Sequence, residues 1–279
     1  MTMPKLTWEK DAEKALQKVP FFVRTLVRRK VEERVKKQNR NRVTLADFQE
    51  AEARFQSVMG GKSESELKRM MPVPNRAGVE MVLVETCHNK LSNCPNPLID
   101  TEVWKKAVED WARKKGISEK LRSRVRGDTI YHYQKFHVSI SGCPNACSRP
   151  QIAEAGMTGF VKPRVEREAC NSCGICVEVC PDRAITVNHN PPVFALNKCL
   201  GCVKCRDICP ESCIKLSAAG VRVMMAGKLG RRPHLAEVIA EAQTPEQLVE
   251  ILDRALQDYL ANGRAEERFL EFWIRTNRT

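Results

Sequence analysis

Residues 135–159 read KFHVSISGCPNACSRPQIAEAGMTG. The first seven alternate as a half-buried strand does, and IAEAGMTGFV (152–161) reads as a second strand. Between them stand Cys143 and Cys147, four positions apart around Pro144 and Asn145. Two thiols so close in a loop between strands suit a disulfide, a zinc site or an iron–sulfur site. The rest of the chain has to choose.

Working outward, VEMVLVET (79–86) is a third apolar run with strand character, and CHNKLSNC follows it with Cys87 and Cys94. Each pair of cysteines thus follows a predicted strand. Four thiolates at neighbouring strand ends can hold one metal cluster, and a structural zinc fits the same count. DTEVWKKAVEDWARKKG (100–116) reads as an amphipathic helix with Val103, Trp104, Ala107, Val108 and Trp111 on one face. VRVMMAGK (221–228) reads as a strand, and TPEQLVEILDRALQDYLANG (244–263) as a helix with Thr244 as N-cap, Pro245 at its first position and Gln247 closing a capping box.

The chain has 279 residues and 13 cysteines. Its N-terminal twenty residues lack an apolar signal region, and no apolar run approaches the roughly 18–20 residues of a membrane span. The expected address is the cytoplasm, where cysteines serve as metal ligands more often than as disulfides.

The densest cysteine run settles part of the question. CNSCGICVEVCP supplies Cys170, Cys173, Cys176 and Cys180, and CLGCVKCRDICP supplies Cys199, Cys202, Cys205 and Cys209. Both match C-x2-C-x2-C-x3-C-P, the pattern of bacterial two-cluster ferredoxins, in which the fourth cysteine of each run serves the other cluster. One cluster is therefore expected on Cys170, Cys173, Cys176 and Cys209, and the other on Cys199, Cys202, Cys205 and Cys180. Cys213 is read as a buried free thiol. Cys87, Cys94, Cys143 and Cys147 remain, enough for a third cluster or a structural zinc.

The formal net charge is +13, with basic clusters at 24–42 and 113–126. Solvated helix faces explain the first cluster. Neither aromatic-interleaved RNA motifs nor zinc-finger histidine pairs are present, so nucleic acid is not an expected partner. Residues 1–60 read as helical, with Thr44 capping a helix that Gly60-Gly61 ends, and 61–77 as a polar connection.

The stretch KFHVSISGCPNACSRPQIAEAGMTG resembles the sirohaem-binding region of sulfite and nitrite reductases. In that family C-x5-C followed by GCPN-x-C holds a [4Fe-4S] cluster, and the last cysteine also bridges to the iron of sirohaem. The resemblance implies Cys87, Cys94, Cys143 and Cys147 as ligands, with Cys147 the shared axial ligand and Asn145 beside it. A ferredoxin module inserted after this region is a trait of the dissimilatory and anaerobic small sulfite reductases. VMMAGKLGRRPHLAE (223–237) is similar to the glycine-basic return segment of that fold. The first pair here is C-x6-C, one residue longer than the family form, and no related first half is recognisable. WEKDAEKALQKVPFFVR (8–24) instead resembles the small helical domain of the light-independent protochlorophyllide reductase B subunit.

The expected class is α+β: a helical domain (1–60), a linker (61–77), a reductase-like domain (78–164 and 216–279) and an inserted ferredoxin domain (165–215). The implied reaction is six-electron reduction of sulfite or nitrite, fed by an electron-donor protein or subunit, in a chain free to assemble as an oligomer. An anion and the sirohaem carboxylates both call for positive charge. Lys135, His137, Arg124, Arg126 and Arg149 are the candidates for the anion and its protons, and Arg122 and His132 for the tetrapyrrole. An electron-transfer subunit without sirohaem and a tetrapyrrole-handling redox protein are the competing readings.

Overall fold

The computed structural model describes residues 6–19, 21–59, 71–87, 89, 93–187 and 191–277. The chain divides into two compact units, Met1–Pro72 and Val73–Thr279. The sequence's reading of Gly60-Gly61 as a helix stop, and most of the 61–77 connection, lie outside the described residues.

The described residues of the first unit form three helices: α1 (Lys10–Lys18), α2 (Phe21–Lys37) and α3 (Leu45–Met59). Its small core gathers Ala12, Val31, Val35 and Val43. Thr44 caps α3, accepting the Asp47 N–H at 3.3 Å. The basic cluster at 24–42 is largely paired within the unit. Arg28 meets Glu13 at 2.8 Å, Arg34 meets Glu50 at 2.6 Å, and both guanidinium nitrogens of Arg40 reach the Asp47 carboxylate at 2.8 Å.

The second unit is built on a mixed five-stranded sheet. Its elements are β1 (Val82–Thr86), α4 (Thr101–Lys114), α5 (Ile117–Arg122), β2 (Phe136–Ser141), β3 (Ala155–Phe160), β4 (Pro163–Val165), β5 (Ile214–Leu216), β6 (Gly220–Met225), β7 (Glu237–Ala242), α6 (Pro245–Asn262) and α7 (Phe269–Asn277). The sheet order is β7-β6-β3-β2-β1, with β1, β2 and β3 parallel and β3, β6 and β7 antiparallel. Every residue of β3 is buried. Trp104, Val108 and Trp111 of α4 and Leu248, Leu252 and Leu256 of α6 fill the core, each set spaced by turns of its helix. Trp111 Nε1 donates to Asp253 at 2.9 Å, tying the two helices together. Val103 was placed on this face by the sequence but is exposed; Thr101 and Ala112 are buried instead.

Two connections position the chemistry. Parallel strands need a crossover. From β1 to β2 it contains α4 and α5, and from β2 to β3 it is the cysteine loop itself. The second connection is the tip of a hairpin. β3 and β6 pair antiparallel, and the ribbon continues through β4 and β5, where Val165 faces Ile214. Glu166 N–H donates to Cys213 O at 2.9 Å. Residues 166–213 therefore leave and return through facing positions.

Candidate iron–sulfur centres

The loop after β2 is shaped by short-range bonds. Ala146 and Arg149 adopt left-handed conformations, and the Ala146 and Arg149 N–H groups close turns onto Cys143 O and Ala146 O. Ser139 Oγ donates to Ser148 O at 2.7 Å, and the hydroxyls of Ser141 and Ser148 share a 2.7 Å bond. Both clamps come from β2. Two glycines admit the loop: a Cβ at Gly156 would lie 2.1 Å from Pro150 O, and one at Gly159 would lie 2.3 Å from Gly142 O.

These turns gather four thiols. Cys87 N–H donates to Ile140 O at 3.0 Å, which places the end of β1 beside the end of β2. Burial pushes the Cys143 thiol up, and the neighbouring thiols of Cys147, Cys94 and Cys87 push it the same way. Gly142 N–H points at Cys87 Sγ at 3.2 Å, and Asn145 Nδ2 at Cys147 Sγ at 3.1 Å. Donors aimed at sulfur favour thiolate ligands, so this site fits an iron–sulfur group.

The inserted segment contains two further sets. Burial pushes the Cys176 thiol up, and Cys173, Cys170 and Cys209 surround it. Cys170, Cys173, Cys176 and Cys209 line one small hollow. Cys199 is pushed up by burial, then by Cys202 and Cys180. Cys180, Cys199, Cys202 and Cys205 line a second small hollow. The fourth cysteine of each run thus sits with the other run's first three. Among the described residues, no three His, Cys, Asp or Glu side chains stand at the spacing of a site for a single ion.

The two runs repeat with a period of 29 residues, from Cys170 to Cys199, and the backbone repeats with them. Left-handed residues recur in step at Ser172 and Gly201, at Gly174 and Val203, and at Arg183 and Ser212. These turns bend each run around its hollow.

The structure does not gather the basic candidates around the cysteine loop. Arg149 and Asn145 share the loop with Cys147, and both are exposed. Lys135 precedes β2, whereas Cys143 follows it, and a six-residue strand rises roughly 20 Å. Lys135 is buried and lines a pocket of about 380 Å³ with Arg124, Arg126, Tyr133 and Arg268. Arg124 lies over the Tyr259 ring at 4.6 Å and donates to Arg264 O at 2.7 Å. Arg122 is held by Glu119 and by Asn75 Oδ1 at 2.9 Å. His137 and His132 meet edge to face at 4.2 Å, and His137 N–H donates to Glu154 at 3.1 Å. These residues form a second polar region at the far end of β2. Sequence proximity had merged two ends of one strand.

The return segment packs against the cysteine loop. Gly227 N–H donates to Ala153 O at 2.8 Å and Ala236 N–H to Gln151 O at 2.7 Å, which braces the returning limb of the cysteine loop. Lys228, Arg231 and Arg232 lie on this segment. Its mark in the sequence is the GKLGRRPH run.

Residues 78–276 match the family model described as nitrite and sulphite reductase 4Fe-4S domain. Residues 8–52 match that of the proto-chlorophyllide reductase 57 kD subunit. The chain is 32% identical over 167 residues to the coenzyme F420-dependent sulfite reductase of Methanocaldococcus jannaschii, covering 60% of this chain and 24% of that protein. It is 34% identical over 70 residues to the C subunit of the anaerobic sulfite reductase of Salmonella typhimurium, covering 25% of this chain and 20% of that one. The B subunit of the light-independent protochlorophyllide reductase of a Bradyrhizobium strain is 42% identical over 55 residues, 20% of this chain and 11% of that one. The chain thus spans a quarter or less of the length of these relatives. Among solved structures, dissimilatory sulfite reductase I is similar at a TM-score of 0.48 and 15% identity, covering 84% of this chain and 56% of that one. With four thiols gathered at the ends of β1 and β2 and a family match that runs from residue 78 to residue 276, the chain belongs to the nitrite and sulphite reductase 4Fe-4S domain family.

Proposed function

We propose that this chain is an anaerobic sulfite-reductase-like redox protein with three [4Fe-4S] clusters and sirohaem, acting on sulfite or nitrite in the cytoplasm. One observation carries the reading. Cys87, Cys94, Cys143 and Cys147 converge from two strand ends, with backbone and side-chain donors aimed at two of the sulfurs. Sirohaem, if bound, would supply the iron chemistry for reducing the anion, and Cys87, Cys94, Cys143 and Cys147 would hold the cluster that feeds it.

The chain's own residues do the rest. Cys147 would be the ligand shared with the tetrapyrrole in this reading, and Asn145 Nδ2 donates toward its sulfur at 3.1 Å. Arg149, in the same loop, and Lys228, Arg231 and Arg232, on the segment braced against it, are the described cations that this reading assigns to the carboxylates and the anion. Lys135, Arg124 and Arg126 line a separate pocket. The division into helical, reductase-like and inserted ferredoxin parts is kept, with residues 166–213 as the electron-delivering part. A low-potential electron-donor protein is the partner. No helix among the described residues is long and apolar enough to cross a membrane.

The test is anaerobic purification after supply of iron, sulfide and sirohaem, with iron and sulfide analysis and a visible spectrum. About twelve cluster irons, one further iron and a Soret band are expected. Full cluster iron without a Soret band replaces this reading with an electron-transfer subunit. Iron near eight, with zinc present, removes the third cluster.

A further inference from the structure

The two hollows of the inserted segment are not equivalent in their surroundings. The Cys180/Cys199/Cys202/Cys205 hollow is also lined by Val161, Pro163 and Leu216, from the hairpin that carries the segment. The Cys170/Cys173/Cys176/Cys209 hollow is lined mostly by the segment's own residues, such as Val187 and Pro192. Cys205 is buried, whereas Cys173 is exposed.

Two glycine contacts continue the first hollow toward the loop after β2. A Cβ on Gly201 would lie 2.4 Å from Val161 O and 2.8 Å from Val161 N, so the backbone between Cys199 and Cys202 rests directly on the end of β3. Two residues back along the chain, a Cβ on Gly159 would lie 2.3 Å from Gly142 O. Gly142 precedes Cys143, and its N–H reaches Cys87 Sγ at 3.2 Å. Arg222 of β6 fastens the same corner. It donates to Cys199 O at 3.3 Å and lies over the Phe160 ring at 5.2 Å.

The repeat supplies an internal comparison. Ser172 holds the place of Gly201 in the first run, with the same left-handed backbone, φ 60° against 75°. The turn therefore accepts a side chain where no strand lies across it. What excludes one at Gly201 is Val161.

We propose that Gly201 and Gly159 are spacing residues that hold the Cys180/Cys199/Cys202/Cys205 centre against the Cys87/Cys94/Cys143/Cys147 centre across the end of a single strand. This makes it the inner centre of the segment, and the Cys170/Cys173/Cys176/Cys209 centre the outer one. The inference rests on the three-cluster reading above.

The experiment uses the full chain with its clusters assembled anaerobically, reduced with dithionite and examined by EPR. Magnetic interaction between centres falls steeply with distance. The interaction with the four-cysteine centre should vanish in Cys202→Ala and survive in Cys173→Ala. Gly201→Ser should weaken it, and Ser172→Gly should leave it as in the unaltered chain. Loss of the interaction in Cys173→Ala but not in Cys202→Ala overturns the assignment. An unchanged interaction in Gly201→Ser with full iron overturns the spacing role. If Gly201→Ser fails to keep its cluster, the two cysteine variants still decide which centre is inner. Iron far below about twelve in the unaltered chain overturns the three-cluster reading itself, which separates that failure from a wrong order of centres.

Discussion

The sulfur of Cys213 lies 3.4 Å from the sulfur of Cys209. In the 29-residue repeat Cys213 stands where the first run has Ala184, and both are buried. The fifth thiol therefore belongs to one hollow and not to its counterpart. Burial keeps it neutral, so it donates S–H toward a ligand sulfur.

A hydrogen bond to a ligand sulfur stabilises the reduced, more negative cluster. Cys213→Ala, which restores the repeat, should lower the midpoint potential of the Cys170/Cys173/Cys176/Cys209 centre alone. A weak donor worth about 0.5–1 kcal/mol corresponds to roughly 20–40 mV for one electron. Redox titration followed by EPR reads both centres at once. Equal shifts at both would show that the thiol acts on the fold and not on its neighbour.

Val203 carries φ 62°, a strained conformation for a β-branched residue, at the place where the first run has Gly174 at φ 79°. Val203→Gly should remove about 1 kcal/mol of strain. Thermal melting of the cluster-loaded protein should rise by a few degrees. A fall would mean that the packing of the valine side chain outweighs its backbone strain.

Ser139 is buried and its hydroxyl holds Ser148 O. Ser139→Ala leaves that carbonyl without its clamp and should cost about 1–2 kcal/mol. Because Ser148 follows Cys147, the tetrapyrrole spectrum should broaden or shift as well. Lost stability with an unaltered spectrum would confine Ser139 to a structural role.

The Arg40 guanidinium beside Asp47 holds its carboxyl well below the usual range, at about 2 against 3.8. A depressed carboxylate contributes stability above pH 4, and that contribution is lost as the pH falls from about 4 toward 2. Acid titration of helicity should show the first unit weakening across this window. Asp47→Asn should lower stability at neutral pH and flatten the same part of the curve. An unchanged acid limb in the variant would assign the loss to other carboxylates.

What was legible in the sequence was whatever a fixed geometry dictates. Ligand spacing around a cluster allows little variation, so the two cysteine runs stand out as a repeat, and Thr44, Thr244 and Gln247 mark helix starts because orphan amides need acceptors. β7 escaped notice because Val238 and Ile239 are exposed, so its pattern carries no buried face. α7 escaped because its apolar residues follow closely on a longer helix. Lys135 was grouped with Cys143 because sequence distance hides the length of an extended strand. Val203 was invisible for another reason: no local preference puts a valine in a left-handed turn, and only the repeat imposes it.

The antiparallel pairing of Val165 with Ile214 has a consequence for how such chains are assembled. A segment that enters and exits through facing residues can be exchanged without rewriting its host. An Asn-Gly turn in place of residues 166–213 would close the same hairpin. Residues 166–213 are thus a cartridge plugged into one socket of the sheet, and a different unit with the same distance between its ends would fit there.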